Sequence, residues 1–80
     1  KSATGLPLGA AGGLEAVFTV LATRDGVIPP TLNLENPDEA AAGLDLVALK
    51  ARKADLNYAL SNGFGFGGVN ACVLFKKWAD

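Results

Sequence analysis

Six consecutive residues, Gly63-Phe64-Gly65-Phe66-Gly67-Gly68, carry the clearest opportunity for chemistry in this sequence. A tight hairpin needs one or two glycines to turn the chain; this stretch has four, alternating with two large rings. Glycine lets another group come close to bare backbone. A ring set between glycines can swing while the amides beside it stay exposed to a ligand. On residue types alone, a ligand gate and simple packing of Phe64 and Phe66 are equal alternatives. The loop is no phosphate cradle, because it joins two strand-like runs and no helix with a Lys-Ser/Thr start follows it. Cys72 lies in an apolar run, where a lone cysteine behaves as a small hydrophobe. The sequence holds no histidine, which removes imidazole acid–base chemistry and the commonest metal ligand from these residues. No metal site is expected.

Several elements must position that loop. Residues 9–25 are too long for a typical strand and predict a helix. Their apolar side chains keep to no single stripe, the pattern of a helix covered on every side in a larger protein. Gly12 and Gly13 suggest close approach of another backbone. A basic residue in the last turn and a glycine beyond it predict an end near Arg24-Asp25-Gly26. Glu15 is the exception on this helix. A carboxylate buried all round costs several kcal/mol unless it is paired or protonated. Lys1, on the loop leading into the helix, is the plausible cation, Arg24 at the far end is the competitor, and plain exposure to solvent is the third option.

Beyond the helix, Val27-Ile28 is a short apolar step and Pro29-Pro30 predicts extended chain at an edge or surface. Asn36-Pro37-Asp38-Glu39 is turn chemistry, and residues 40–43 add a helical turn. Residues 44–49 alternate enough for a short strand, and 50–55 read as a solvated connector. Residues 56–62 alternate and 69–77 begin as an almost continuous apolar run. Together they predict an antiparallel pair joined by the glycine–phenylalanine loop, with Asn62 and Asn70 bracing it through hydrogen bonds. Lys76, Lys77 and Asp80 lead the chain into solvent.

Eighty residues make one small domain or a piece of a larger one, with about 60 to 65% of the unfolded surface buried at best. A net charge of −1 without a basic stripe argues against nucleic acid as a partner. No run reaches the roughly 20 apolar residues of a membrane span, and the first residues lack a signal-peptide pattern. A single cysteine makes a reducing compartment the default.

Several short motifs occur in one order: Lys1-Ser2-Ala3-Thr4-Gly5, Gly9-Ala10-Ala11-Gly12, Glu15, Pro29-Pro30-Thr31-Leu32-Asn33, Asn36-Pro37-Asp38-Glu39 and residues 62–70. Each is weak alone, but the ordered set is specific. Over essentially the whole chain it resembles the C-terminal fifth of the β-ketoacyl-acyl-carrier-protein synthases, with the synthase II type as the closest subgroup. The resemblance implies an α/β, thiolase-like fold with α/β/α/β/α layers. Residues 1–80 would be the C-terminal part of the C-terminal domain, and the half bearing the nucleophilic cysteine would lie elsewhere. It implies a cytoplasmic homodimer that joins an acyl group to malonyl-acyl carrier protein in fatty acid synthesis, with loss of carbon dioxide. The alternative is a non-catalytic, chain-length-setting relative. No cofactor is implied beyond the phosphopantetheine arm of the carrier protein.

By the same resemblance, Lys1 matches a lysine that supports the active-site histidines and Glu15 the buried glutamate paired with it. Phe64, Gly65, Phe66, Gly67 and Gly68 match the substrate gate. Phe66 would be its moving ring, and its backbone N–H a donor to the oxyanion. The chain departs from the family at Leu6, where the pattern Lys-Ser-x-x-Gly-His has histidine. Leucine offers neither hydrogen bond nor proton, and Pro7 beside it stiffens the loop. An inactive paralogue, a change introduced in this copy and a variant with other chemistry all fit. The intact surroundings favour a recent or introduced change over long drift.

Overall fold

The computed structural model describes residues 1–78, so Asp80 and its proposed path into solvent lie outside the described residues. Helix α1 spans Ala11–Asp25. Its end is the predicted one: Gly26 takes the left-handed conformation with φ 66° and its N–H donates to the Ala22 carbonyl at 2.9 Å. Its start falls two residues later than expected. Leu8–Ala10 forms a 3-10 turn, and Ala10 at the N-cap has no side chain able to accept from the first helical amides. Within α1, the Thr19 and Thr23 hydroxyls donate back to the Glu15 and Thr19 carbonyls at 2.7 and 2.8 Å. Two hydroxyls on a mostly apolar helix are thereby satisfied locally.

The expected antiparallel pair is present as β3, Tyr58–Phe64, and β4, Asn70–Lys76. Its register runs from Tyr58 opposite Lys76 to Phe64 opposite Asn70. Ala59, Ser61 and Phe75 are the half-buried residues of this hairpin, and α1 packs against it. By alternation, the opposite face carries Tyr58, Leu60, Phe64, Cys72 and Leu74, all exposed. The buried setting expected of Cys72 is therefore not provided by the described residues.

A second, smaller pairing was not expected. β1, Val27–Ile28, lies antiparallel to β2, Arg52–Lys53, so part of the supposed solvated connector is a strand. The Ala54 N–H donates to the Gly26 carbonyl at 2.9 Å and extends this contact to the end of α1. Residues 44–49 are not a strand. Val47 and Leu49 have φ of 48° and 68°, incompatible with a regular ladder, and a single parallel bridge joins Thr31 to Ala48. Asp45 accepts from both Arg52 and the Val47 N–H. The guanidinium first, then the amide, hold its carboxyl below the usual carboxylate range. The helical turn expected at 40–43 begins one residue earlier, as the 3-10 turn Glu39–Ala41, with Asp38 Oδ1 accepting from the Ala40 N–H at 2.9 Å ahead of it.

The apolar cover that α1 requires is not supplied by these elements. Among the described residues Thr23 alone is buried, at 4% exposure, and no apolar side chain is. A Cβ added at Gly12 or Gly13 would meet nothing within 4 Å, so the close neighbour suggested by those glycines is absent from this set. The exposed area is 6337 Å², whereas a compact monomer of 8.1 kDa exposes about 4500 Å². Expressed as these 80 residues alone, the chain is expected to aggregate or remain partly unfolded. Thermal denaturation followed by circular dichroism tests this, and a cooperative melt from a monomer would contradict it.

Candidate functional site

The residues singled out in the sequence fall into two places. At the first, the loop before α1 returns over the helix, and the Lys1 ammonium forms an ion pair with Glu15 Oε1. Arg24, the competing cation, pairs instead with its neighbour Asp25 at 2.7 Å. Glu15 retains 23% of its side-chain exposure and Lys1 43%. The pair is therefore half-buried, and water still screens it. The loop is held in shape by the Gly5 N–H, which donates to the Lys1 carbonyl at 2.9 Å.

A cleft of about 750 Å³ opens beside this pair. It is lined by Lys1 to Thr4, by Glu15, Phe18 and Ala22 of α1, by Pro29-Pro30 and by residues 59–62 of β3. One ion pair set in a mostly apolar cleft can hold a charged or hydrogen-bonding group in a fixed place.

The second place is the tip of the β3–β4 hairpin. Phe64 ends β3, opposite Asn70, and Phe66–Gly68 form a 3-10 turn. The Gly65 N–H donates to the Val69 carbonyl at 2.7 Å and the Gly68 N–H to the Gly65 carbonyl at 3.3 Å. Gly67 and Gly68 both have positive φ, 78° and 85°. Phe66 begins the turn, where N–H groups lack partners within the turn itself. The residue is 88% exposed and Phe64 78%. Neither ring lines the cleft at Lys1 and Glu15, and nor does Leu6, which is exposed on its loop. The structure thus joins Lys1 to Glu15 but leaves the hairpin tip and Leu6 uncovered by these residues.

Sequence reasoning missed two positioning residues. The Ser2 hydroxyl accepts from the Leu32 N–H at 2.8 Å, 30 positions along the chain. Thr31 gathers the segment at 46–49: its N–H and hydroxyl donate to the Val47 and Leu46 carbonyls, and its carbonyl accepts from the Leu49 N–H. No spacing rule marks either. The only available hint was their position, each beside a residue already suspected or in a rigid Pro-Pro context.

Comparison with known proteins places these features. Residues 1–35 match the family model described as beta-ketoacyl synthase, C-terminal domain. The chain is 52% identical over 80 residues to the 3-oxoacyl-[acyl-carrier-protein] synthase 2 of Vibrio harveyi, covering all of this chain and 19% of that protein. The protein of the same name from Rhizobium meliloti is 54% identical over 78 residues, 98% of this chain and 18% of the relative. That from Coxiella burnetii is 51% identical over 80 residues, again 19% of its length. The chain therefore spans about a fifth of the curated relatives it matches. Over residues 1–35, which include the ion-paired loop and helix described above, the chain is similar to the C-terminal domain of the β-ketoacyl synthases.

Proposed function

We propose that this chain works as part of a 3-oxoacyl-acyl-carrier-protein synthase, an acyltransferase that condenses an acyl thioester with malonyl-acyl carrier protein in fatty acid synthesis. The observation that carries the reading is identity of about half the residues along the entire chain to synthases of that name. A non-catalytic chain-length subunit is not favoured by these relatives.

In this reading a cysteine outside these residues takes the acyl group as a thioester. Decarboxylation of the malonyl thioester then yields an enolate, which attacks that thioester and releases the cysteine sulfur. The Lys1–Glu15 pair holds a fixed positive charge near the groups that stabilise the enolate. Glu15 keeps the ammonium from wandering, and the pair is neutral overall, so its partial burial is tolerated. Phe64 and Phe66 gate the acyl channel across the Gly65, Gly67 and Gly68 hinge, and the Phe66 N–H donates to an oxyanion. A donor aimed at developing negative charge contributes about 2.7–4 kcal/mol.

The uncovered faces of α1 and the β3–β4 hairpin are those that a thiolase-like layered fold and a homodimer would cover. Residues 1–80 would sit in its C-terminal half, with acyl carrier protein delivering both substrates on its phosphopantetheine arm and no other cofactor. Among the described residues no helix is long and apolar enough to cross a membrane; a cytoplasmic setting accompanies the proposed activity.

The test is covalent. The full-length protein carrying this chain, incubated with acyl-acyl carrier protein, is expected to gain the mass of one acyl group, and to do so equally after Cys72→Ser. Absence of acylation would overturn the reading.

A further inference from the structure

We infer that Ser2 is a positioning residue for Lys1, acting as a clamp between the loop before α1 and the Pro29–Leu32 segment. The inference rests on the reading above for its catalytic meaning, but on hydrogen-bond geometry for its substance. Lys1 reaches Glu15 from a loop that is exposed along residues 1–6. A long, half-exposed lysine side chain loses considerable rotamer freedom on pairing, so the pair depends on where its backbone is held. One end of that backbone is fixed by the Gly5 N–H to Lys1 carbonyl bond. The other fixed point is the Ser2 hydroxyl, which accepts from the Leu32 N–H at 2.8 Å.

Leu32 is a well-anchored donor. Pro29 and Pro30 restrict φ before it, and Thr31 is held by three hydrogen bonds to residues 46–49. A continuous series of contacts thus runs from residues 46–49 through Thr31, the Leu32 amide and Ser2 to Lys1, and across the ion pair to α1. Without the Ser2 hydroxyl, the Leu32 N–H turns to water and the Lys1 loop loses its only link to that segment among the hydrogen bonds described here.

The experiment is lysine reactivity in the full-length protein. Acetylation of the Lys1 side chain by an N-hydroxysuccinimide ester is followed by mass spectrometry, with exposed Lys50, at the far end of that series of contacts, as internal reference. Ser2→Ala is expected to raise the Lys1 rate about threefold to tenfold relative to Lys50, the range that one hydrogen bond supports. Ser2→Thr, which keeps the hydroxyl, should restore the original rate. Glu15→Gln, which removes the ionic partner, sets the upper reference. A Lys1 rate within twofold of the unmodified protein in Ser2→Ala, an equal rise at Lys50, or no rescue by Ser2→Thr would overturn the inference. Labelling does not depend on condensing activity. Failure of acylation in the preceding test would therefore sink the enzymatic reading and leave the clamp standing.

Discussion

Leu6→His in the full-length protein is expected to raise malonyl-thioester decarboxylation by about 10²–10³, the usual effect of restoring one donor to an oxyanion site. Acylation of the nucleophile should change little, because that step needs no group at position 6 in the proposed mechanism. The structure makes the substitution clean. Leu6 is exposed, and its backbone is set on both sides, by the Gly5 turn and by Pro7 with its restricted φ. Where position 6 stays open to solvent in the full-length protein, exchanging a leucine in such a loop alters stability by about 0.5 kcal/mol or less. A change in rate would then report chemistry rather than folding. Decarboxylation of malonyl-acyl carrier protein, followed by carbon dioxide release, separates the outcomes. Equal rates in the two proteins would mean that position 6 does not face the reacting carbonyl.

That expectation depends on a site only partly readable from the residues. The Lys1–Glu15 pair was one of three readings the sequence left open: a carboxylate on a helix apolar all round needs a counter-charge or a path to solvent, and Arg24 competed with Lys1 for it. The unusual hairpin tip was legible as composition, since four glycines exceed what a turn requires. The Ser2–Leu32 bond was not legible, because a hydrogen bond between residues 30 apart leaves no periodic mark.

The fold divides along the same line. Elements written by local pattern came out nearly as expected. The end of α1 is announced by Arg24 and Gly26, β3 by its alternation and β4 by its apolar run, although β3 continues to Phe64, where Gly63 still pairs with Ala71. Elements made by long-range backbone pairing did not. Arg52 and Lys53 keep charged side chains in water while their backbone pairs with Val27 and Ile28, so side-chain polarity hid the strand. Residues 44–49 show the reverse: an alternating pattern that the positive φ at Val47 and Leu49 prevents from becoming a ladder. The helix pattern was read correctly as apolar all round, but the surfaces meant to cover it are not among these residues.

The second large effect is expected at Gly65. Its φ of −85° and ψ of 162° are ordinary extended backbone, so no left-handed conformation demands glycine there. What demands it is the chain opposite: a Cβ on residue 65 would lie 2.5 Å from the Val69 carbonyl oxygen. That oxygen is the acceptor of the Gly65 N–H, so it cannot retreat without breaking the bond that closes the loop. Gly65→Ala is therefore expected to destabilise the full-length protein by about 1–3 kcal/mol, the usual cost of overpacking, read as a lowered midpoint in denaturant. It should also reduce condensation, because Phe66 hangs from the displaced turn. Gly13→Ala is the matched control. Position 13 lies inside α1 with open space where the Cβ would go, and alanine there should stabilise the helix by about 0.5–1 kcal/mol unless another part of the full-length protein packs against it. Stability of Gly65→Ala equal to that of the unmodified protein would show that the loop opens freely around residue 65. The gate would then turn on the Gly67-Gly68 pair, with the Gly65–Val69 closure playing no part in it.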